Sequence, residues 1–218
     1  MTQKPMLNLG CGRVILPAPK PAHYGLLDPI ESYALWHNVD RNELPGVDTA
    51  TNIFRYPFEW EDNSFDGALC AHLCEHIPHQ IDLWDANVIE RSQLVLRSRL
   101  SRMQDGWFAF FSELWRVLTP GSIIHILSPY AWSNGAMHDP SHTRYLTPES
   151  FQHSMTPNPD APFAYATGGL HLELVEPPRV NVMPEFQHLA GNPILFQQAV
   201  NTQLNVISEF AVKLRVIK

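Results

Sequence analysis

The chain has 218 residues, 44% of them hydrophobic, and a formal charge of −7. That length suits one domain with a sizeable core, and the acidic balance excludes broad electrostatic attraction to nucleic acid or to an anionic membrane. No stretch approaches the roughly 20 apolar residues of a transmembrane helix and no signal peptide opens the chain; with three cysteines, Cys11, Cys70 and Cys74, in no paired framework, a reduced, cytoplasmic protein is expected.

Leu7-Asn8-Leu9 reads as a buried first strand. Gly10-Cys11-Gly12 reads as the sharp turn leaving it, with no Cβ on the glycines to hold a ligand away from the backbone. Such a turn, at the carboxyl end of a central parallel strand, is where open α/β sheets bind nucleotide-like ligands. Pro17, Pro19 and Pro21 forbid a regular helix directly behind it. The first helix is delayed to about 29–35, with Asp28 as N-cap, Pro29 at the first helical position and Glu31 closing a capping box. A phosphate ligand would want a helix N-terminus behind the glycines, so NAD and FAD are disfavoured.

Residues 36–40 read as a second strand ending in Asp40, an acid placed to accept hydrogen bonds from ribose hydroxyls. A short third strand falls at 47–51, with Asn52 and Ile53 at its tip, and 57–63 forms a polar turn carrying Phe58 and Trp60. A fourth strand over 65–71 runs into His72-Leu73-Cys74-Glu75-His76-Ile77-Pro78. An insertion occupies about 79–105. In it Ile81, Trp84 and Val88 share a helical stripe, while Arg91, Arg97, Arg99 and Arg102 lie off it as a solvated basic face. A helix over 106–118 buries Trp107, Phe111, Leu114 and Leu118 on one face, and Thr119-Pro120-Gly121 ends it. The fifth strand is 123–127. Beyond it a helix starts at 147–151, a Pro-rich loop spans 154–169, a sixth strand covers 170–175, and 177–191 is irregular. Asn192 and Pro193 cap a helix to about residue 204. In 210–217, Phe210, Val212, Leu214 and Val216 alternate with Ala211, Lys213, Arg215 and Ile217, the period of an antiparallel strand with one buried face.

Five of these segments, in order, carry a resemblance: Asn8-Leu9-Gly10-Cys11-Gly12, Val39-Asp40, Asp62-Asn63-Ser64-Phe65-Asp66, Glu75-His76-Ile77, and Glu113 through Gly121. Together they resemble the class I S-adenosylmethionine-dependent methyltransferases of the small-molecule, methyltransferase type 11-like kind. The resemblance implies a Rossmann-like, doubly wound, mainly parallel seven-stranded α/β sheet. Its last strand would be antiparallel and inserted beside the fifth, all in a single domain over 1–218. It implies S-adenosylmethionine as cofactor, held by Asn8, Gly10, Cys11 and Gly12 under its methionine part, Asp40 and Arg41 at the ribose, and Asn52 and Ile53 at the adenine. Ala71, His72 and Leu73 would then face the sulfonium. Three positions depart from the pattern: Val14 stands at the third glycine, Asn52 where many members have Asp, and the linker from Gly12 to Asp40 is long and Pro-rich.

The acceptor side is expected at His72, Glu75 and His76, any of which could orient or deprotonate an acceptor. Loops over about 129–169 and 177–205 would close over it. Met137-His138-Asp139-Pro140-Ser141-His142-Thr143-Arg144-Tyr145 resembles a segment of some bacterial members, and His138, His142, Arg144 and Tyr145 are candidate acceptor contacts, Arg144 for an anionic group. The expected reaction is methyl transfer to a small-molecule acceptor, with neither nucleic acid nor membrane as partner; the alternative is a non-catalytic binding or scaffold protein of the same fold. His72-Leu73-Cys74-Glu75-His76 also matches H-x-x-E-H, a zinc-peptidase pattern that needs one continuous helix. A strand before it and Pro78 after it argue against that helix. His138, Asp139 and His142 have ligand-like spacing, but in a chain with eleven histidines they read as a hydrogen-bonded loop, and no metal is assigned. Ser128-Pro129-Tyr130 is similar to the tetrapeptide of DNA amino-methyltransferases, but there it follows the fourth strand, not the fifth.

Overall fold

The computed structural model describes residues 3–17, 24–27, 35–80, 82–83, 105–155 and 170–218. The delayed helix (apart from residue 35), the helical stripe and arginines of the insertion, and the Pro-rich loop beyond residue 155 lie outside the described residues.

Strand β1 (Met6–Leu9) is buried at all four positions, as a strand covered on both faces must be. β2 (Trp36–Asp40) pairs with it in parallel on one side and β5 (Phe65–Ala71) on the other. β3 (Thr49–Ala50) extends the sheet beyond β2. β7 (Leu118–Pro129) lies parallel to β5. The chain thus winds outward from β1 in both directions, so the carboxyl ends of β1 and β5 flank a topological switch point. β10 (Ile207–Val216) lies antiparallel to β7, with β8 (Leu172–Leu174) antiparallel beyond it. Phe210, Val212, Leu214 and Val216 are all but fully buried, which bears out the period-two reading. A separate parallel pair, β4 (Arg55–Tyr56) with β6 (Asp82–Leu83), stands outside the main sheet.

The sheet has eight strands rather than the expected seven. The extra one is β9 (Arg179–Val182), which pairs antiparallel with the first half of β10. It falls in the stretch read as irregular, where Pro177 and Pro178 hide a short alternation of Val180 and Val182 with polar residues. A 3-10 helix, Pro184–Leu189, follows it. β7 also begins five residues before the expected fifth strand: Leu118 already pairs with Phe65, and the register slips before Gly67 meets Ile123. The residues between form a bulge, with Gly121 at φ +83°.

Four helices are described. α1 (Gly106–Val117) starts where the Asp105 carboxylate accepts from the Trp107 N–H at 2.7 Å. The short α2 (Asn134–Met137) and α3 (Pro148–Met155) follow β7, and α4 (Pro193–Thr202) has the expected Asn192 cap. None is long and apolar enough to cross a membrane among the described residues. α1 is buried well beyond the single face its periodicity indicates, because Phe58 and Phe54 pack on Phe110 while Phe151 packs on Trp107 and Phe111. One charge sits inside that packing. Glu113, fully buried, accepts from the Phe58 N–H at 2.7 Å and from the Arg116 Nη2 at 2.8 Å. Arg116 also donates to the carbonyls of Trp60 and Phe58 and to Asp62. The pair fastens the 57–63 turn to α1.

Removing one partner of a buried ion pair leaves the other without compensation. Glu113→Gln is therefore expected to lower stability by about 3 kcal/mol, the low end of that range because Arg116 keeps Asp62. Urea denaturation followed by circular dichroism reads this as a lower midpoint at unchanged slope.

Candidate functional site

The turn after β1 holds Gly10 at φ +65° and Gly12 at φ +51°, a region that side chains resist. The two glycines serve different neighbours. A Cβ on Gly10 would lie 2.8 Å from the side chain of Leu73, whereas a Cβ on Gly12 would meet none of the described residues within 4 Å. Gly10 thus lets the turn sit against Leu73, and among the described residues Gly12 borders open space. The Cys11 N–H donates to the Val39 carbonyl and the Gly12 N–H to Asp40 Oδ2, both near 3 Å. Asp40, 7% exposed, takes two further hydrogen bonds on Oδ1 from the backbone and side chain of Asn42. A carboxylate offers about four lone-pair sites, and these contacts use three.

Beyond Gly12 the chain needs another way to satisfy its backbone. Asn8 Nδ2 donates to the Val14 carbonyl and to Asn38 Oδ1; Asn38 Oδ1 also accepts from the Leu16 N–H, and Asn38 Nδ2 donates to the Leu16 carbonyl. Asn8, a candidate cofactor contact, is 3% exposed and uses its amide to hold this segment. Arg41 and Asn52 are exposed, Asn52 accepting from the Phe54 N–H, while Ile53 is buried beside it. Ala71 and Leu73 are buried at the end of β5.

A cleft of about 470 Å³ opens where β5 and β7 end and the antiparallel β10 begins. Its walls carry His72, Glu75, His76, His138, Asp139, His142 and Glu209. His72 leaves β5 at φ +52°, with its N–H on the Leu127 carbonyl. Cys74–His76 is a single 3-10 turn, so the continuous helix that the H-x-x-E-H pattern requires does not form. Glu75 is 1% exposed, and its Oε2 accepts from the Ser128 hydroxyl at 3.0 Å. His72 stands between two acids: Nδ1 is 3.6 Å from Glu75 Oε1, and Nε2 is 3.6 Å from Glu209 Oε2. Burial pulls its pKa down, but the approach of Glu75 and the charges of Glu75 and Glu209 outweigh that and leave it above the usual histidine value.

The loop after β7 reaches this cleft by backbone contact. The Glu75 carbonyl accepts the N–H groups of both Thr143 and Arg144, and the Thr143 hydroxyl donates to the Ile77 carbonyl. This strap lays the His142 ring against that of His76, edge to face, with centroids 4.7 Å apart. His138 and His142 therefore line the cleft, as expected. Arg144 and Tyr145 do not. The Arg144 guanidinium donates to the Ile77 and Pro78 carbonyls and to Asp105 Oδ1, and lies over the Trp107 ring. It clamps the strap to the start of α1 through Nε and Nη2, away from the cleft lining. Tyr145 is 58% exposed outside the cleft. Asp139 accepts from the Ser141 hydroxyl and N–H, bonds that hold its carboxyl below the usual range. Sequence reasoning missed Glu209. The alternation in β10 puts it on the face opposite Phe210, but only the antiparallel pairing with Pro129 brings it to the cleft.

The architecture is shared with solved structures. An S-adenosylmethionine-dependent methyltransferase from Archaeoglobus fulgidus matches with a TM-score of 0.52 at 16% identity, over 98% of this chain and 86% of that one. Methyltransferases of the same cofactor class from Mesorhizobium loti (12% identity, 98% and 91% covered, TM-score 0.46) and Methanosarcina mazei (14% identity, 99% and 93% covered, TM-score 0.44) are more distantly similar. No family model matches the chain, and no curated protein matches it. The sheet order and the antiparallel β10 are those of the class I S-adenosylmethionine-dependent methyltransferase fold.

All three cysteines are buried thiols. Burial, and then the neighbouring charge of Asp40, push the Cys11 thiol in the glycine turn up to about 11. Alkylation of Cys11 by iodoacetamide is thus expected to be negligible at pH 7 and to rise about tenfold per pH unit toward pH 11 in the folded protein, because only the thiolate reacts. Mass spectrometry of the alkylated peptide checks it.

Proposed function

We propose that the chain transfers the methyl group of S-adenosylmethionine to a small-molecule acceptor held in the cleft at the ends of β5, β7 and β10. One observation carries the reading. An open glycine turn, latched to a buried carboxylate with one lone-pair site to spare, lies at the carboxyl ends of β1 and β2. The strand next to β1 runs directly into a cleft of histidines and acids.

The residues fit the cofactor. Gly12 leaves room above the turn among the described residues, Asp40 Oδ2 can accept one more hydrogen bond from a ribose hydroxyl, and Ile53 offers an apolar surface to the adenine. Gly10, Cys11, Arg41, Asn52, Ala71, His72 and Leu73 complete the proposed contact set, with Asn8 acting through the loop it holds. Bound there, the cofactor supplies a methyl group activated by a sulfonium. The protein's part is to place an acceptor in line and to remove its proton. His72 suits the removal of that proton, because Glu75 and Glu209 fix the ring on either side and stabilise the imidazolium that forms. The net charge of −7 gives no general attraction to polyanions, in keeping with a small acceptor.

Calorimetric titration with S-adenosylmethionine and S-adenosylhomocysteine tests the reading. One site per chain is expected for each, and no binding of either would favour a scaffold of the same fold. Asp40→Ala should weaken S-adenosylhomocysteine binding by about 1.5–3 kcal/mol, the value of a hydrogen bond to a charged group, or about tenfold to somewhat over a hundredfold. An unchanged dissociation constant would leave Asp40 as a turn residue alone. His72→Gln should cost turnover, once an acceptor is supplied, far more than it weakens cofactor binding.

A further inference from the structure

We propose that Glu75, His76 and His142 form a binding site for one divalent first-row transition-metal ion, of the zinc or cobalt kind. One ligand atom from each of the three lies within 4.8 Å of the others. Tetrahedral coordination with bonds of 2.0–2.1 Å sets ligand atoms about 3.3 Å apart, so small tilts of the two imidazoles about their Nδ1 hydrogen bonds close the site. Neither sequence pattern that suggested a metal describes it. H-x-x-E-H supplies Glu75 and His76 but fails as a helix, and the His138 to His142 loop supplies only its last histidine.

Three independent features prepare these side chains as ligands. Glu75 is 1% exposed, and its Oε1 makes no hydrogen bond among the described residues; its ion-pair neighbour, His72 Nδ1, stands 3.6 Å away, and a buried carboxylate oxygen without a hydrogen bond is costly. A cation beside it answers that cost. His142 Nδ1 lies 2.8 Å from the Ala136 carbonyl, and His76 Nδ1 lies 3.3 Å from the Ser141 carbonyl. A ring nitrogen facing a carbonyl carries the proton, so each histidine keeps Nε2 bare. That second hydrogen bond is the way metal-bound histidines are oriented. Finally, Ser128 holds the other Glu75 oxygen, and Asp139 Oδ2 stands 3.8 Å from His142 Nε2, close enough to neutralise a divalent charge or to become a fourth ligand.

Two imidazoles and a carboxylate suit zinc and its first-row neighbours, and all three line the cleft, so remaining coordination positions face it. An oxygen of the acceptor would fill one of them. That last clause rests on the transferase reading; the metal site does not.

The test uses the full chain, stripped with a chelator, without cofactor. Calorimetric titration with zinc chloride, and with cobalt chloride followed by visible absorption, should give one ion per chain and a cobalt spectrum of low symmetry. His76→Ala and His142→Ala should each weaken binding about 100-fold or more. His188→Ala, on the exposed 3-10 helix away from the cleft, should not change it. His142→Asn keeps a donor toward the Ala136 carbonyl while removing the distal nitrogen, and decides the matter if the alanine variant misfolds. Absence of stoichiometric binding, an affinity untouched in His76→Ala and His142→Asn, or an equal loss in His188→Ala overturns the proposal. Titration of S-adenosylhomocysteine into metal-free protein is read separately: its failure with metal binding intact refutes the transferase reading and leaves the site standing.

Discussion

A backbone that leaves a central, doubly covered strand must find partners for every N–H and C=O it buries. Doubly wound folds usually meet that demand with a helix directly after the first turn. Here the prolines remove that solution, and two buried asparagines on neighbouring strands replace it. Asn8 on β1 and Asn38 on β2 bond each other and between them take the Val14 carbonyl, the Leu16 N–H and the Leu16 carbonyl. Asn38 is held in turn by Asp48 through its own N–H. The glycine turn is thereby fixed from behind by side-chain amides. Because its support comes from the strands, none of the described residues fills the space in front of Gly12.

The second half of the site is assembled on a similar principle, by main-chain contact between distant segments. The 3-10 turn after β5 offers its carbonyls, and the loop after β7 offers N–H groups and the Thr143 hydroxyl. Arg144 closes the arrangement by joining the same turn to the cap of α1. His76 and His142, far apart in sequence, then share one wall without needing any direct attraction to each other. The cleft's acids come from these two segments, as Glu75 and Asp139, and from a third, β10, as Glu209.

How much of this was legible follows from the range of each interaction. β2 and β5 were readable to the residue, because a short strand segment that stops at polar or turn residues is a local signal. β10 was readable because alternation is local too, and its place beside the fifth strand came with the family resemblance. β9 was not, since two prolines and an exposed edge leave too short a pattern. At the site, the histidines that line the cleft were named in advance from motifs. Their convergence was also expected, because the loops after the fourth and fifth strands of a doubly wound sheet open on one crevice; what was not legible is the set of hydrogen bonds between residues 75 and 143 that fixes the spacing of the rings. Arg144 shows the limit most plainly. Its type and position suggested an anion site, yet its partners, Asp105 and two carbonyls, lie 39 and more residues away, and no local pattern announces them.

His72 occupies a backbone conformation that costs a side-chain-bearing residue on the order of 1–3 kcal/mol. Glycine or asparagine would relieve that cost at the same position. A histidine held there is the mark of a trade in which folding stability is given up for placement of the ring. Breeding this protein for heat resistance alone would therefore erode the cleft first at His72, and a library selected only for survival at high temperature would drift toward inert, sturdier descendants.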